Sequence, residues 1–397
     1  MSQAKITDEQ LHKWASILLD HSLGGITPDD VVMIKGEHVA WPLINALQEG
    51  VIKAGGLPDV WLVPPDNDRG RVWGGAMARL GTVEQIKRTP DWWMGRYENM
   101  TKFIEVLGAE SPALYAGLPK ETAGAIAEAD SPFMGVRLAK RWALTLYPTQ
   151  GFADMEEMEL DRYTAAVVDA SLADPAPLVD LEAAIGEAMT RADEIKIVTS
   201  CPDHDRELEL TISLKDRLIQ QSYGIHNWPD GEVFTSPDAR TVQGEIFVDL
   251  PILYGGTRIQ GIYLKIDRGV IKEYSAHKGG EQLKTIIETD AGSHRLGEVA
   301  LGMNAGLKEV LCHPLFVEKV GGTLHIAIGA SYPQCYVEDP ESAAGKEELE
   351  RLFVDGALNK SAQHVDIVTD FRDGGAGVRV ELDGVPLKVR GGVWVVD

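Results

Sequence analysis

Five residues in the C-terminal half of the chain have the types and surroundings of metal ligands. Three are carboxylates and two are imidazoles, and each stands beside glycine or a short apolar run. They are Glu232, Glu298, His325, His364 and Asp366. Oxygen and nitrogen donors of this kind bind one or two divalent cations. The first hypothesis from the sequence is therefore a metalloenzyme, and these five residues are called the candidate ligands below.

The spacing of His364 and Asp366 allows both side chains to reach one cation. They are two residues apart, and on an extended segment side chains at this spacing point to the same face. A loop histidine that is hydrogen-bonded to a nearby aspartate explains the pair equally simply. Taken alone, the second explanation is the stronger one.

Each of the other three candidates also has a structural explanation. His325 lies inside an apolar segment at 323–329 that predicts a strand, where an unsatisfied imidazole would cost about 1–3 kcal/mol. A metal ion or a backbone carbonyl would satisfy it. Glu232 follows a turn at 227–231. Glu298 is predicted near the start of a helix, where a carboxylate favours the positive helix end.

Tyr332 is the candidate for a catalytic hydrogen-bond donor. It stands seven residues after His325 and directly before Pro333. A phenol placed beside a metal centre can donate to a developing oxyanion. The alternative is a half-buried aromatic residue with a packing role, which is the stronger explanation for this tyrosine alone.

Composition restricts the class of protein and its partners. A chain of 397 residues is expected to form two domains. The formal charge of −23 disfavours nucleic acid and anionic membrane as partners. The three cysteines form no Cys-x-x-Cys pair, so a disulfide framework or thiolate zinc site is not expected. No signal-peptide or membrane-spanning pattern is found, which predicts a cytoplasmic protein.

The order of predicted elements indicates an α/β N-terminal domain with a parallel sheet. Helices are predicted at 8–22, 39–53, 121–129 and 154–170, and strands at 31–35, 59–63, 112–117 and 141–147. Strand, helix and strand within about 35 residues form a βαβ unit, which makes the sheet parallel. Two prolines at 173–177 mark the boundary between predicted domains 1–175 and 176–397.

The C-terminal domain is predicted to be a strand-rich α+β metal-binding domain. A helix at 180–192 and a strand at 195–199 come first. Hydrophobic residues then alternate with period two at 208–214, 262–266 and 378–382, which is typical of antiparallel strands. Turns at 267–269 and 383–384 are hairpin signals.

Four ordered segments resemble the thermophilic metallo-aminopeptidases, the family of aminopeptidase T and its bacterial relatives. These segments span residues 227–237, 296–304, 318–333 and 361–366. The resemblance implies that the candidate ligands hold a pair of divalent ions (Co²⁺, Zn²⁺ or Mg²⁺). It further implies that Tyr332 stands beside them, and that the protein is a homodimer that removes N-terminal residues from peptides. Glu298 or Glu232 would also accept the proton of the attacking water.

Two segments depart from the pattern of that family. A charged stretch within 337–359 lengthens the interval between His325 and His364, and it predicts a loop or short helix near the site. A tryptophan-rich segment at 69–100, with Trp73, Trp92 and Trp93, has no recognised counterpart. The substrate range is therefore left open.

Two other functions remain as alternatives. The 2,5-dihydroxypyridine 5,6-dioxygenases share the fold resemblance and hold one Fe²⁺ with two histidines and an aspartate, a set that His325, His364 and Asp366 would supply. The presence of both Glu232 and Glu298 favours the dinuclear hydrolase. A non-catalytic binding protein is the third alternative, and it predicts that the candidate ligands do not converge.

Overall fold

The computed structural model describes residues 5–63, 75–108, 119–255 and 257–396. It divides the chain into two compact units. The first unit comprises Met1–Pro175 together with Gly224–Pro229, and the second comprises Ala176–Tyr223 and Asp230–Asp397. A strand predicted at 112–117 and the side chain of Trp73 lie outside the described residues.

The first unit is built on a five-stranded parallel sheet in the order β2-β1-β3-β4-β8. Its strands are β1 (Val31–Glu37), β2 (Leu57–Val63), β3 (Lys102–Leu107), β4 (Arg141–Leu146) and β8 (Asn227–Trp228). Its helices are α1 (Asp8–Ser16), continued by a π-helical turn (Ile17–Ser22), α2 (Trp41–Lys53), α3 (Gly75–Leu80), α4 (Val83–Lys87), α5 (Asp91–Asn99), α6 (Lys120–Leu138), α7 (Gln150–Met155) and α8 (Leu160–Ser171).

Local sequence explains the start of this unit. Thr7 and Gln10 form a reciprocal capping box that begins α1. Strand β1 begins with an apolar run at 31–34 and is buried almost throughout, as expected for an inner strand of a parallel sheet. The predicted β1-α2-β2 unit and its parallel pairing are confirmed.

The helix predicted at 154–170 is wrong as a single element. Helix α7 ends at Met155 and α8 begins at Leu160. Between them Glu157 has a φ of 57°, a left-handed conformation that an α-helix does not continue through. A run of acidic and apolar residues therefore looks helical in sequence although the backbone turns within it.

The tryptophan-rich segment divides between core and surface. Tyr97, Phe103 and Phe133 form a buried aromatic cluster in the first unit, and Trp93 packs against it. Trp92 is 62% exposed. Trp93 therefore has a packing role, whereas Trp92 lies at the surface.

The second unit contains two large antiparallel sheets and a two-stranded one. The larger sheet has the order β11-β12-β10-β6-β5-β17-β18, with β13 paired to β12. Its strands are β5 (Glu194–Ser200), β6 (Glu207–Ser213), β10 (Gln243–Val248), β11 (Ile252–Tyr254), β12 (Thr257–Asp267), β13 (Val270–Lys278), β17 (Gly377–Leu382) and β18 (Val385–Pro386). Both predicted hairpins, β12–β13 and β17–β18, are confirmed.

The second large sheet has five strands in the order β16-β15-β14-β9-β7. They are β7 (Gln220–Ser222), β9 (Glu232–Thr235), β14 (Leu296–Gly302), β15 (Thr323–Gly329) and β16 (His364–Asp370). Strands β19 (Lys388–Arg390) and β20 (Val393–Val395) pair with each other. The predicted fold class, a parallel α/β part followed by a strand-rich antiparallel part, is confirmed.

Four helices complete the second unit: α9 (Ala176–Arg191), α10 (Gly280–Ile287), α11 (Pro314–Val317) and α12 (Ala343–Val354). Helix α9 begins four residues before the predicted position, because Pro177 is tolerated in a first helical turn. Helix α12 is the charged segment predicted from the sequence, and Ser342 caps it. Within the described residues, no helix combines the length and apolarity needed to cross a membrane.

One face of the five-stranded sheet belongs to the apolar core of the second unit. Alternate residues of β9, β14, β15 and β16 are buried in that core: Val233, Val299, Leu301, Leu324, Ile326, Ile328, Val365 and Ile367. Because successive side chains of a strand point to opposite faces, the residues between them point away from this core.

Candidate metal centre

All five candidate ligands lie on the face of the five-stranded sheet that is opposite the apolar core. They come from four adjacent strands: Glu232 from β9, Glu298 from β14, His325 from β15, and His364 and Asp366 from β16. The cross-strand register brings them together, since Glu298 and Asp366 are both opposite Ala327. Residues that are directly opposed in antiparallel strands share a face.

Small residues occupy the positions between the candidate ligands. Glu232 is opposite Gly302, His325 is opposite Ala300, and His364 is opposite Gly329. Ala327 is opposite both Glu298 and Asp366. Every candidate ligand therefore has an alanine or a glycine opposite it on at least one neighbouring strand. Short side chains at these positions leave space above the sheet, so the long carboxylate and imidazole side chains can converge there.

Gly297 determines the face on which Glu298 lies. The β14–β15 register shifts at this residue, so Leu296 is opposite Ile328 while Glu298 is opposite Ala327. The extra residue of a β-bulge reverses the alternation of the strand, and Leu296 therefore stays in the core although it is two residues from Glu298. The helix start predicted at Glu298 is wrong. The extra residue of the bulge interrupts the alternation of core-facing and outward-facing side chains, which is the pattern that indicates a strand in the sequence.

We expect Gly297→Ala to destabilise the metal-free protein by about 1–3 kcal/mol. A Cβ at this position would lie 2.0 Å from the carbonyl oxygen of Ala330, so the backbone would have to move. Chemical denaturation measures the effect. Gly280→Ala is the control, because no neighbouring atom lies within 4 Å of a Cβ there. Equal stability of the two variants would contradict the role given to the bulge.

His364 is oriented by the backbone so that one ring nitrogen faces the carboxylates. Its Nδ1 lies 2.8 Å from the carbonyl oxygen of Ala330. Its Nε2 lies 2.8 Å from Oε2 of Glu298 and 3.5 Å from Oδ1 of Asp366. A histidine that donates one ring N–H to a carbonyl and presents the other nitrogen to anionic ligands has the orientation found in metal sites.

Glu298 connects the two halves of the site. Its Oε1 lies 3.8 Å from Nε2 of His325, and that nitrogen lies 3.4 Å from Oε2 of Glu232. Two groups of potential ligand atoms therefore form, in each of which the atoms lie within 4.8 Å of one another. The groups are Glu232–Glu298–His325 and Glu298–His364–Asp366, and Glu298 belongs to both.

The donor set fits a divalent cation. Oδ1 of Asp366 is buried and has no hydrogen-bond partner among the described residues, although Nε2 of His364 forms an ion-pair contact with it at 3.5 Å. Buried polar atoms nearly always have a partner, and a cation would supply one at this position. Carboxylate and imidazole donors together suit Zn²⁺, Co²⁺ and related ions.

The carboxylates of the site favour the protonated form of both histidines. Burial by itself would lower the pKa of both imidazoles. The pKa of His325 is instead raised to about 9 by contact with Glu298 and by the charges of Asp366 and Glu232. The pKa of His364 is raised to about 11 by Asp366 and Glu298. Without a metal ion the imidazoles therefore hold protons, and a cation must displace them. Metal affinity should rise with pH in this range.

Lys319 and Glu318 also belong to the site, although the sequence alone does not indicate a role for them. Lys319 is buried, and its ammonium contacts the carboxylate of Glu232, Oε1 of Glu318 at 3.1 Å and Oδ1 of Asp230 at 3.4 Å. Glu318 is half-buried, and its pKa is raised well above the usual value, chiefly by burial. The available signal was a charged Glu-Lys pair within an otherwise apolar run at 314–329.

Tyr332 lies beside the histidine end of the site. Its ring centroid is 4.6 Å from that of His364 and 5.5 Å from that of Phe234. Its backbone N–H donates to Oγ of Ser236 at 2.7 Å. Burial raises the pKa of Tyr332, and the neighbouring carboxylates raise it further. The phenol therefore stays protonated and can donate a hydrogen bond.

Comparison with known proteins gives the family. Residues 7–381 match the sequence profile of the thermophilic metalloprotease (M29) family. The chain belongs to this family. Aminopeptidase T of Thermus aquaticus is 28% identical over 370 residues, which cover 81% of this chain and 84% of that protein. The resemblance predicted from the sequence is confirmed, and membership in the M29 family implies a hydrolase that uses a divalent metal.

Two solved structures share the fold of this M29 protein. Wild-type AmpT from Thermus thermophilus superposes with a TM-score of 0.72 at 23% identity, covering 98% of this chain and 99% of that one. A 2,5-dihydroxypyridine dioxygenase from Pseudomonas putida KT2440 superposes with a TM-score of 0.56 at 12% identity, covering 98% of both chains. At these identities the similarity concerns the fold alone.

Proposed function

We propose that this protein is an aminopeptidase that removes N-terminal residues from peptides with two divalent cations, Co²⁺, Zn²⁺ or Mg²⁺, held by the candidate ligands. The observation that carries the proposal is the position of Glu298, shared between two overlapping ligand groups. A single-metal site needs only one such group. Relatives named as aminopeptidases support the substrate class.

The residues of the chain have distinct roles in this reaction. When bound, the cations would lower the pKa of a water molecule and polarise the scissile carbonyl. The phenol of Tyr332 donates a hydrogen bond to the oxygen that becomes negative. The free α-amine of a peptide would dock on one of the cations or on a nearby carboxylate, which would account for selection of the N-terminus.

Glu318 is the better candidate for the proton acceptor than Glu298 or Glu232. Both oxygens of Glu298 face imidazole nitrogens, and both oxygens of Glu232 face Lys319 or His325. Glu318 belongs to neither ligand group and is partly exposed. Oε1 of Glu318 contacts Lys319 at 3.1 Å, and burial raises the pKa of this carboxyl, so Glu318 acts as the base only when bound cations draw off its proton.

We expect Glu318→Gln to keep its metal and to lower kcat by about 10²–10⁴-fold, the usual contribution of a general base. The amide has the size of the carboxylate but cannot accept the proton. Steady-state kinetics and metal analysis of the same sample make the measurement. Glu341→Gln is the control, since Glu341 pairs on the surface with Lys346. Unchanged kcat in Glu318→Gln would move the role back to Glu298 or Glu232.

The assay that tests the activity compares two substrates that differ only at the amine. The metal-reconstituted protein should hydrolyse leucyl-anilide and should not hydrolyse N-acetyl-leucyl-anilide, which lacks a free α-amine. Equal hydrolysis of both, or of neither, would contradict the aminopeptidase assignment. Assembly as a homodimer and a cytoplasmic location, both expected from the sequence, stay predictions.

A further inference from the structure

We propose that Lys319 makes the two cation sites unequal. This inference rests on the proposed two-cation function. Lys319 acts as a positioning residue: it occupies one oxygen of Glu232 and so weakens the cation site of the Glu232–Glu298–His325 group. The Glu298–His364–Asp366 group is then the tighter site, and it fills first.

The first observation is the placement of a lysine inside the site. The side chain of Lys319 is only 2% exposed. A buried ammonium is costly unless carboxylates pair with it. Its ion pairs are with Asp230, Glu232 and Glu318, and none of these belongs to the Glu298–His364–Asp366 group. The ammonium therefore contacts only the Glu232 half of the site directly, and it reaches Asp366 of the other half only through Glu318.

The second observation is how the oxygens of Glu232 are used. Oε1 contacts the ammonium of Lys319, while Oε2 lies 3.4 Å from Nε2 of His325. Only Oε2 faces the other members of its ligand group. Glu232 can therefore offer that group one oxygen, and its charge is partly neutralised before any cation arrives.

Glu182 does not offset the charge of the ammonium. It is fully buried on α9, and burial raises its pKa to about 9, with the charges of Asp230 and Glu232 adding to the effect. It is therefore neutral near pH 7. In a partly buried site, a unit charge a few ångströms from a bound cation changes its affinity by on the order of tenfold or more.

Calorimetric titration of the metal-free, full-length chain with Zn²⁺ tests the inference. The wild-type protein should bind two ions in steps whose Kd values differ by on the order of tenfold. In Lys319→Met the weaker step should tighten by on the order of tenfold, and the tighter step should stay within about twofold. Lys102→Met is the matched control, because Lys102 pairs with Asp30 in the first unit at 3.0 Å. Lys102→Met should keep both Zn²⁺-binding steps.

A second variant keeps the test valid if Lys319→Met does not fold. His325→Ala should lose the weaker step and keep one ion at the tighter Kd. Two steps of unchanged affinity in a folded Lys319→Met protein, or loss of the tighter step in His325→Ala, would overturn the role of Lys319. Failure of the wild-type protein to bind a second ion would instead overturn the proposed two-cation function.

Discussion

Replacing His364 by alanine is expected to empty the Glu298–His364–Asp366 group and to lower kcat/KM for leucyl-anilide by about a thousandfold or more. The variant loses the imidazole that lies 2.8 Å from Glu298. It also leaves two carboxylates, Glu298 and Asp366, without the partner that holds them together. Metal analysis and kinetics on the same preparation give both readouts.

His277→Ala is the matched control for this variant. His277 is also in the second unit and pairs with Asp203 at 2.8 Å, but its side chain is about half exposed. Metal content and activity should be those of the wild-type protein. Full activity with normal metal content in His364→Ala would remove this histidine from the site and would contradict the ligand assignment.

Tyr332→Phe is expected to keep its metal and to lose turnover. Loss of one preorganised donor to an oxyanion typically lowers kcat by about 10²–10³-fold. The phenylalanine keeps the ring contacts with His364 and Phe234, so the site should stay intact. The expected change is therefore in kcat, with metal content unaltered.

Tyr336→Phe is the control for Tyr332→Phe, because it removes a tyrosine hydroxyl that has a structural role. The hydroxyl of Tyr336 donates to the carbonyl oxygen of Pro237 at 2.7 Å, within a buried cluster. Its removal should cost about 0.5–1.5 kcal/mol of stability and leave kcat unchanged. If Tyr332→Phe behaved in the same way, the tyrosine would have only a packing role.

Local patterns in the sequence predicted those parts of the site that depend on a single strand. The apolar run around His325 predicted β15. The two-residue spacing of His364 and Asp366 allowed the common face that they have on β16, although a loop was the stronger explanation for this pair alone. Both follow from the alternation of side chains along an extended chain. The βαβ unit was predictable for a similar reason, because its two strands and its helix are complete within about 35 residues.

Features that depend on contacts between distant segments could not be predicted in this way. The bulge at Gly297 is visible only when β14 is paired with β15, so the sequence alone indicates a helix start near Glu298. The role of Lys319 depends on Asp230 and Glu232, which reach it from another part of the chain. Spacing along the sequence carries no information on such pairings.

The central claim is that the candidate ligands hold two hydrolytic cations, and a metal count coupled to activity tests it most directly. Metal-free protein is loaded with Co²⁺ or Zn²⁺, and ions per chain are measured together with leucyl-anilide hydrolysis. We expect about two ions per chain and hydrolysis that needs no oxygen. One iron per chain, no hydrolysis, and oxygen uptake with a dihydroxypyridine would contradict the claim and would identify a ring-cleaving dioxygenase instead.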